Sequence, residues 1–546
     1  MNFIDTDRHF FARRDILDVL HKRVLGLKEG YRQNVALLGS RTVGKTSILQ
    51  RFMADHDDPS VIVVYLDLEG RDFTYFTTQF IKTILYQFLK SQDQPAHEDL
   101  KLLCAACRDT LKGTTVLVEA INALVKEGKY PEGYMRLLSL PEIFCAESGK
   151  SLVLIFDEFQ DMADFPVPGV FQELGKRIMT QKNCLYIVAS SYAQKARTIL
   201  SEKLSLLFGN FETIPVSPFD LGSSLGLIDR HLSGVKMGLY LKNFLADFTG
   251  GRPLYMNILC QELIALSGIY RQQEIYAPLL LQAVENLVFN PWGVLSRHFE
   301  LQVQGLYRGA KSGGNLSSVL IAVAQGHHKI SDLNRHLAVK PSQLAPRVAV
   351  LLEADIVEKN GNYYHVKDKL FKYWIKYVYE RRLKAMDMEP GRGRKMFKEE
   401  INRAVNDFQM TARKDLSSRV VDLLHKFDDE AFELNGRRYK LSLFRDIKPV
   451  KLRLSAGNFF DALVAGTHEG QWLVVLKKDP LHENDVNGIM EEMKKMSPRP
   501  QRCVVVALSG LDDNAKLRAL QEKFWVWNEP EVNALMHLYD EPCIVR

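Results

Sequence analysis

The sequence predicts an α/β fold: a parallel β-sheet first, then a helical lid, a winged helix-turn-helix and a smaller C-terminal α/β unit. Three observations predict it. Residues 1–220 alternate short aliphatic runs with longer helical stretches, and the runs at 34–38, 61–68, 152–156, 184–190 and 213–217 are apolar without alternation. Strands of that kind are buried on both faces. Helices between them call for parallel neighbours with helices on either side. Finally, 546 residues exceed what one core organises, so several domains are expected.

The elements follow in order. Residues 1–220 form the sheet-bearing core, and residues 221–310, where strand-like runs stop, form the helical lid. Residues 311–384 contain three helical segments (LSSVLIAVAQ, ISDLNRHL, PSQLAPRVAVLLEA) and a hairpin turning at Asn360–Gly361, the order of a winged helix. Residues 385–398 are read as a linker, because 389–395 combine Pro, Gly and positive charge. Residues 399–546 carry their own strand runs, FDALVA, WLVVLKK and CVVVALS.

The first chemical motif directly follows the run at 34–38. Gly39, Ser40, Arg41, Thr42, Val43, Gly44, Lys45 and Thr46 fit GxxxxGK[ST] at every fixed position, with Ser47 next in the helix they open. Glycines let backbone N–H groups wrap a phosphate, and a helix N-terminus adds a favourable dipole. Lys45 supplies a point charge to the β/γ-phosphates, and the Thr46 hydroxyl suits Mg²⁺. The expected ligand is a purine nucleoside triphosphate with Mg²⁺.

A second element lies in LVLIFDEFQD. Asp157 ends a buried run, where a carboxylate can hold the Mg²⁺ water shell, and Glu158 is suited to polarise the attacking water. The bland alternative is that the two acids cap the next helix. Ser190 and Ser191 end the fourth run, and either contact the γ-phosphate or cap a helix. Arg252, in TGGRPLYM, either reaches the phosphates or is a surface arginine after a turn.

Composition excludes several classes. The net charge of +6 is small for this length and permits nucleic-acid contact without requiring it. Seven cysteines are scattered, and the one CxxC, Cys104–Cys107, sits in a helical stretch with no second pair, which favours packing over zinc. That usage fits a reducing cytoplasm. The polar start does not read as a signal peptide, and no apolar run approaches the roughly 20 residues of a membrane span.

On these residues the sequence resembles the archaeal-type ATPases, P-loop NTPases near the STAND regulators and the origin-recognition AAA+ proteins. FFARRDILDVL resembles their entry helix, GSRTVGKTSIL their P-loop, LIFDEFQ their acidic strand, IVASSYAQKA the segment ending in small polar residues, TGGRPLYM their glycine-proline signature, and VKDKLFKYWIKYVYE the aromatic segment after the wing. The resemblance implies ATP with Mg²⁺ and hydrolysis. Where the family has an aromatic-Gly-Arg triplet this chain has Asn210, so slow turnover, or an arginine such as Arg13, Arg14 or Arg197, is implied instead.

In a winged helix the segment 341–354 would enter a DNA major groove through Lys340, Ser342, Gln343 and Arg347, with Lys359 on the wing; related domains instead serve packing and autoinhibition. The C-terminal unit resembles restriction-endonuclease domains. Asp461 suits the strand carboxylate and Lys477 the lysine, but position 475 is Val, and the upstream helix offers Ser418 and Arg419 where an acid is needed, so the nuclease reads as degenerate. Residues 437–453 interleave Arg and Lys with aromatics, suiting either a phosphate-tracking surface or a solvated edge hairpin. The expected function is an ATP-driven switch acting on DNA, with a homo-oligomer or protein partner possible and no membrane. The alternatives are an ATP-gated nuclease effector and a non-hydrolysing, nucleotide-stabilised interaction protein.

Overall fold

A computed structural model describes residues 10–204, 211–309, 316–384, 390–434, 437–453 and 459–544. The chain divides into two compact units. One comprises residues 1–218 with 252–254, and the other comprises the rest.

The first unit is a five-stranded parallel sheet, the P-loop NTPase core that the sequence predicts. Its strands are β1 (Asn34–Leu38), β2 (Val61–Asp67), β3 (Ser151–Asp157), β4 (Cys184–Ser190) and β5 (Phe211–Pro215), in the order β2-β3-β4-β1-β5. Continuous apolar runs are required because both faces are covered. Val35, Leu37, Val153, Ile155, Leu185 and Ile187 pack with helices Arg14–Lys28 and Lys45–Ala54. Ala36, Leu38, Leu152, Leu154, Phe156 and Val188 face the other side, against Phe73, Phe76 and Phe80 of helix Phe73–Lys90. Each fully buried Val, Leu or Phe contributes about 1.5–3 kcal/mol. That apolar bulk holds in place the polar groups gathered at the strand ends.

The topology sets the site. β4 lies between the strand that feeds the P-loop and the strand that carries the acids. The residues after β4 are therefore inserted between phosphate loop and carboxylates.

The second unit begins with helices Leu221–His231, Leu239–Phe248, Pro253–Ile269, Ala277–Val284 and Val294–Gly309, with the short parallel pair β6 (Lys236–Met237) and β7 (Glu274–Ile275). Helices Leu316–Ala324, Ile330–Leu337 and Pro341–Glu353 follow, then the antiparallel hairpin β8 (Val357–Asn360) and β9 (Tyr363–Val366). Of the segment 385–398 expected as a linker, residues 385–389 lie outside the described residues, and from Pro390 the chain runs as one helix, Pro390–Ala412. Pro at the first helical position fits that start, and Phe397, Ile401, Val405 and Phe408 supply a buried stripe that outweighs Gly391 and Gly393.

After helix Leu416–Leu424, β10 (Glu430–Leu434) and β11 (Arg437–Leu441) form a two-stranded ribbon. A mixed sheet follows: β12 (Asp446–Arg453), β13 (Phe459–Gly466), β14 (Gln471–Lys477), β15 (Arg502–Ala507) and β16 (Trp525–Trp527), in sequence order. The ribbon holds the hairpin turn. The Asn360 side chain donates to the Glu433 carbonyl at 2.8 Å and accepts from the Glu433 N–H at 2.7 Å. Gly361 has φ +59°, and a Cβ there would lie 1.9 Å from the Ala431 carbonyl oxygen.

Candidate functional site

The loop 39–46 owes its shape to local sequence. Thr42 and Gly44 take left-handed backbone conformations, with φ 67° and 97°. Gly44 then caps helix Lys45–Ala54. Gly39 is glycine because its neighbour leaves no room: a Cβ would sit 2.2 Å from the Val216 carbonyl oxygen. The Gly39 N–H donates to the Ser190 carbonyl at 3.2 Å, which ties the loop to the end of β4.

Lys45 is buried, and its ammonium donates to the carbonyls of Gly39 (2.9 Å) and Ser40 (3.1 Å) and to Ser191 Oγ (2.8 Å). Burial pulls its pKa down, while Glu158 and Asp157 act to keep the proton. Thr46 Oγ1 donates to Asp157 Oδ2 at 2.7 Å, and Tyr65 donates to the same oxygen at 3.0 Å. Burial pushes the Asp157 carboxyl up, and the Thr46 hydrogen bond opposes that shift.

Glu158 does not cap the following helix, since no side-chain cap bond forms there. It sits at φ 52°, ψ 43°, a left-handed conformation that is uncommon for a residue with a Cβ. Such outliers persist where surrounding contacts enforce them, and functional sites are where they gather. Here the carboxylate is fixed from three sides. It accepts from the Ser191 N–H (2.9 Å), from Ser191 Oγ and from Gln160 Nε2 (2.9 Å). Lys45, Ser191 and Glu158 thus form one hydrogen-bonded chain, with the serine hydroxyl accepting from the lysine and donating to the glutamate.

This separates the two serines that end the fourth run. Ser191, not Ser190, joins the charged groups; Ser190 Oγ instead accepts from the Tyr192 N–H at 3.0 Å. Strand alternation alone could not separate two adjacent serines at a strand end. Arg252 is likewise no surface arginine. It is 3% exposed, and its guanidinium donates to Ser40 Oγ (3.1 Å), Thr42 Oγ1 (3.2 Å) and the Arg41 carbonyl. These bonds brace the phosphate loop from behind. Arg41 pairs with Glu69 at 3.0 Å and with the Tyr192 hydroxyl at 3.1 Å. Tyr65 and Glu69 lie in none of the sequence motifs, and Gln160 and Tyr192 had no role assigned within theirs; the contacts of all four emerge only from the fold.

The donor set fits Mg²⁺ bound with a nucleotide. One hydroxyl and one carboxylate converge, and a hard cation that keeps waters and phosphate oxygens asks little more of the protein. Among the described residues no cluster of three or more His, Cys, Asp or Glu forms a self-sufficient metal cage. Of the other arginines considered, Arg14 and Arg197 are exposed, and Arg13 donates to the Ser217 carbonyl. Asn210 lies outside the described residues.

The nuclease pair does not assemble. Asp461 lies opposite Leu476 in the β13–β14 register, so Lys477 is one residue out of phase. Lys477 points with Phe460, 4.9 Å from its ring, and pairs with Asp485, whereas Asp461 is exposed. A one-residue offset sends side chains to opposite faces of a sheet. Val475 is fully buried, and Arg419 is buried with its guanidinium donating to the Pro542 carbonyl, so neither site where an acid was sought is open to a metal. The exposed candidates on the 341–354 segment are Lys340, Ser342 and Gln343, with Arg347 half-buried and Lys359 exposed on the hairpin.

Against known proteins, no family model matches the chain, and no curated protein matches it. Among solved structures it is similar to the Walker-type ATPase of Pyrococcus abyssi, at 16% identity over 67% of this chain and 96% of that one, with TM-score 0.47. It is similar to the ORC2 protein of Aeropyrum pernix, at 13% identity over 69% and 95%, TM-score 0.44. It is also similar to the RuvB Holliday-junction branch-migration motor of Thermotoga maritima, at 13% identity over 67% and 96%, TM-score 0.33. What marks the core as a P-loop NTPase is the geometry around Lys45 and Asp157 rather than these likenesses. No described helix is long and apolar enough to cross a membrane.

Proposed function

We propose that the chain binds ATP with Mg²⁺ and hydrolyses it slowly, as a nucleotide-driven switch that acts on DNA. The observation that carries the reading is the Lys45–Ser191–Glu158 chain beside the 2.7 Å Thr46–Asp157 contact. Phosphate oxygens compete for the same ammonium protons that Lys45 gives to Gly39, Ser40 and Ser191. Turning Lys45 towards phosphate removes the bond it makes to Ser191, which leaves the serine hydroxyl free to reorient. Glu158 then loses one of its restraints and can accept a proton from water, the positioning role that phosphoryl transfer asks of a carboxylate. Mg²⁺ held at Thr46 and Asp157 would supply charge neutralisation at the phosphates. Arg252 keeps the loop in register throughout. The winged-helix reading of residues 316–366 supports a DNA target, with Lys340, Ser342, Gln343 and Arg347 on its third helix and Lys359 on its wing.

Phosphate release with and without single- and double-stranded DNA, at two salt concentrations, tests the reading. Stimulation by DNA that falls with salt is expected, because backbone contacts release counter-ions. Turnover that ignores DNA at both salts contradicts the DNA half of the proposal and leaves the ATPase half standing.

A further inference from the structure

A cavity of about 510 Å³ lies in the second unit, between helix Glu483–Lys495 and the starts of β15 and β16. That size suits a small ligand. Met490, Met493 and Trp525 give it apolar walls, and Arg499, Arg502 and Lys523 give it three cations. Arg502 is the structural centre. Its guanidinium lies 3.8 Å from the ring centre of Trp525 and 4.9 Å from that of Trp472, in the corner between two indoles set at 85°.

None of the three cations makes a hydrogen bond or ion pair with another described residue. The nearest acids are committed elsewhere. Glu522 pairs with Arg518 at 3.1 Å, and Glu469, whose field reaches Arg502, also faces Lys440 at 3.7 Å. A half-buried guanidinium without a counter-ion is costly, since burial disfavours the charged form. Stacking on indole recovers part of that cost, and an anion would recover more.

We propose that this cavity binds a nucleoside phosphate, its phosphate among Arg499, Arg502 and Lys523 and its base against the Trp525 and methionine walls. Arginine stacked on an aromatic ring is a platform for nucleic-acid bases as well as a donor set for phosphate. An acidic peptide would satisfy the cations but not the apolar walls. The same chemistry comes from two sources, a free mononucleotide or the 5′-phosphorylated end of a single strand. The proposal stands on the second unit alone and does not depend on the reading of residues 39–46.

All five tryptophans, at 292, 374, 472, 525 and 527, lie in the second unit, so intrinsic fluorescence reports on it directly. The test is a fluorescence titration of the full chain carrying Lys45→Ala, with AMP in one arm, 5′-phosphorylated tetrathymidylate in another and tetraglutamate in a third. Every comparison is made between cavity variants in that one background. Saturable quenching by AMP or the oligonucleotide is expected, weakened about tenfold or more by the exposed double reversal Arg499→Glu/Lys523→Glu and lost in Arg502→Gln. Equal binding of both phosphate probes assigns the free nucleotide, and tenfold tighter oligonucleotide binding assigns the strand end. No quenching by either probe, quenching indifferent to the double reversal, or tetraglutamate binding as tightly as the phosphates overturns the proposal. The double reversal alters only exposed side chains, so its unchanged melting temperature separates lost binding from lost folding.

Discussion

In the first unit the groups that converge at the candidate site come from one contiguous loop and the ends of two adjacent parallel strands, β3 and β4. In the second, Asp461 and Lys477 lie on neighbouring antiparallel strands, where one register step decides whether they meet. They do not: the step puts them on opposite faces. A contiguous motif carries its own geometry, because backbone dihedrals at Thr42 and Gly44 fix the loop wherever the strand delivers it. A motif split between strands is only as good as the pairing between them, which no residue of the motif encodes.

Lys45→Ala should lose ATP binding by about a hundredfold or more, because it removes a charge-assisted donor set from a buried anion site. Equilibrium binding of a fluorescent ATP analogue measures it, and near-native affinity contradicts the site. The two crowded glycines come next. Gly39→Ala and Gly361→Ala should each destabilise their own unit by about 1–3 kcal/mol, the cost of forcing a methyl into packed backbone. Because every tryptophan lies in the second unit, only Gly361→Ala should shift the fluorescence-detected transition. A fluorescence shift in Gly39→Ala alone would contradict that division.

A pH dependence should also separate the units. Burial, with His365 nearby, pushes His537 down to about 4. The folded chain therefore binds fewer protons than the unfolded chain between about pH 4 and 6.5, so stability rises with pH across that window and is lost as pH falls through it. Burial opposes the ionised form of Asp540, yet hydrogen bonds from His328 and Lys372 hold its pKa well below the usual carboxylate range, which adds loss in the same direction at lower pH. The fluorescence-detected melting temperature should thus fall from pH 6.5 to 4.5 and fall less in His537→Gln; a flat wild-type profile contradicts this. The smallest effect belongs to Asp461→Ala, an exposed change expected to alter stability by no more than about 0.5 kcal/mol and ATP turnover not at all. A large loss of either would restore Asp461 as a working residue.

Much of the first unit was legible because its signals are local. The five apolar runs became the five strands, and Lys45, Thr46, Asp157 and Glu158 converge as their positions at a loop and a strand end implied. Ser190 and Ser191 could not be told apart, because which of two adjacent serines turns inward depends on the chain's exit from β4. Tyr65 was invisible, since it reaches Asp157 only through the pairing of β2 with β3, whereas Gln160, two residues on from Glu158, reaches it through a local turn that no motif signalled. Within the 385–398 segment expected as a linker, composition hid the helix that starts at Pro390: a proline opens a helix as readily as it ends one, and the stripe from Phe397 to Phe408 supplies the buried face.

Steady-state phosphate release, measured beside ATP binding in the wild-type chain and in Glu158→Gln, tests the central claim most directly. The variant keeps the size of the side chain and its place beside Ser191 but cannot take a proton from water. ATP affinity within about threefold of wild type, with turnover reduced about a hundredfold or more, is the predicted result. Unchanged turnover in Glu158→Gln, with binding intact, would contradict it.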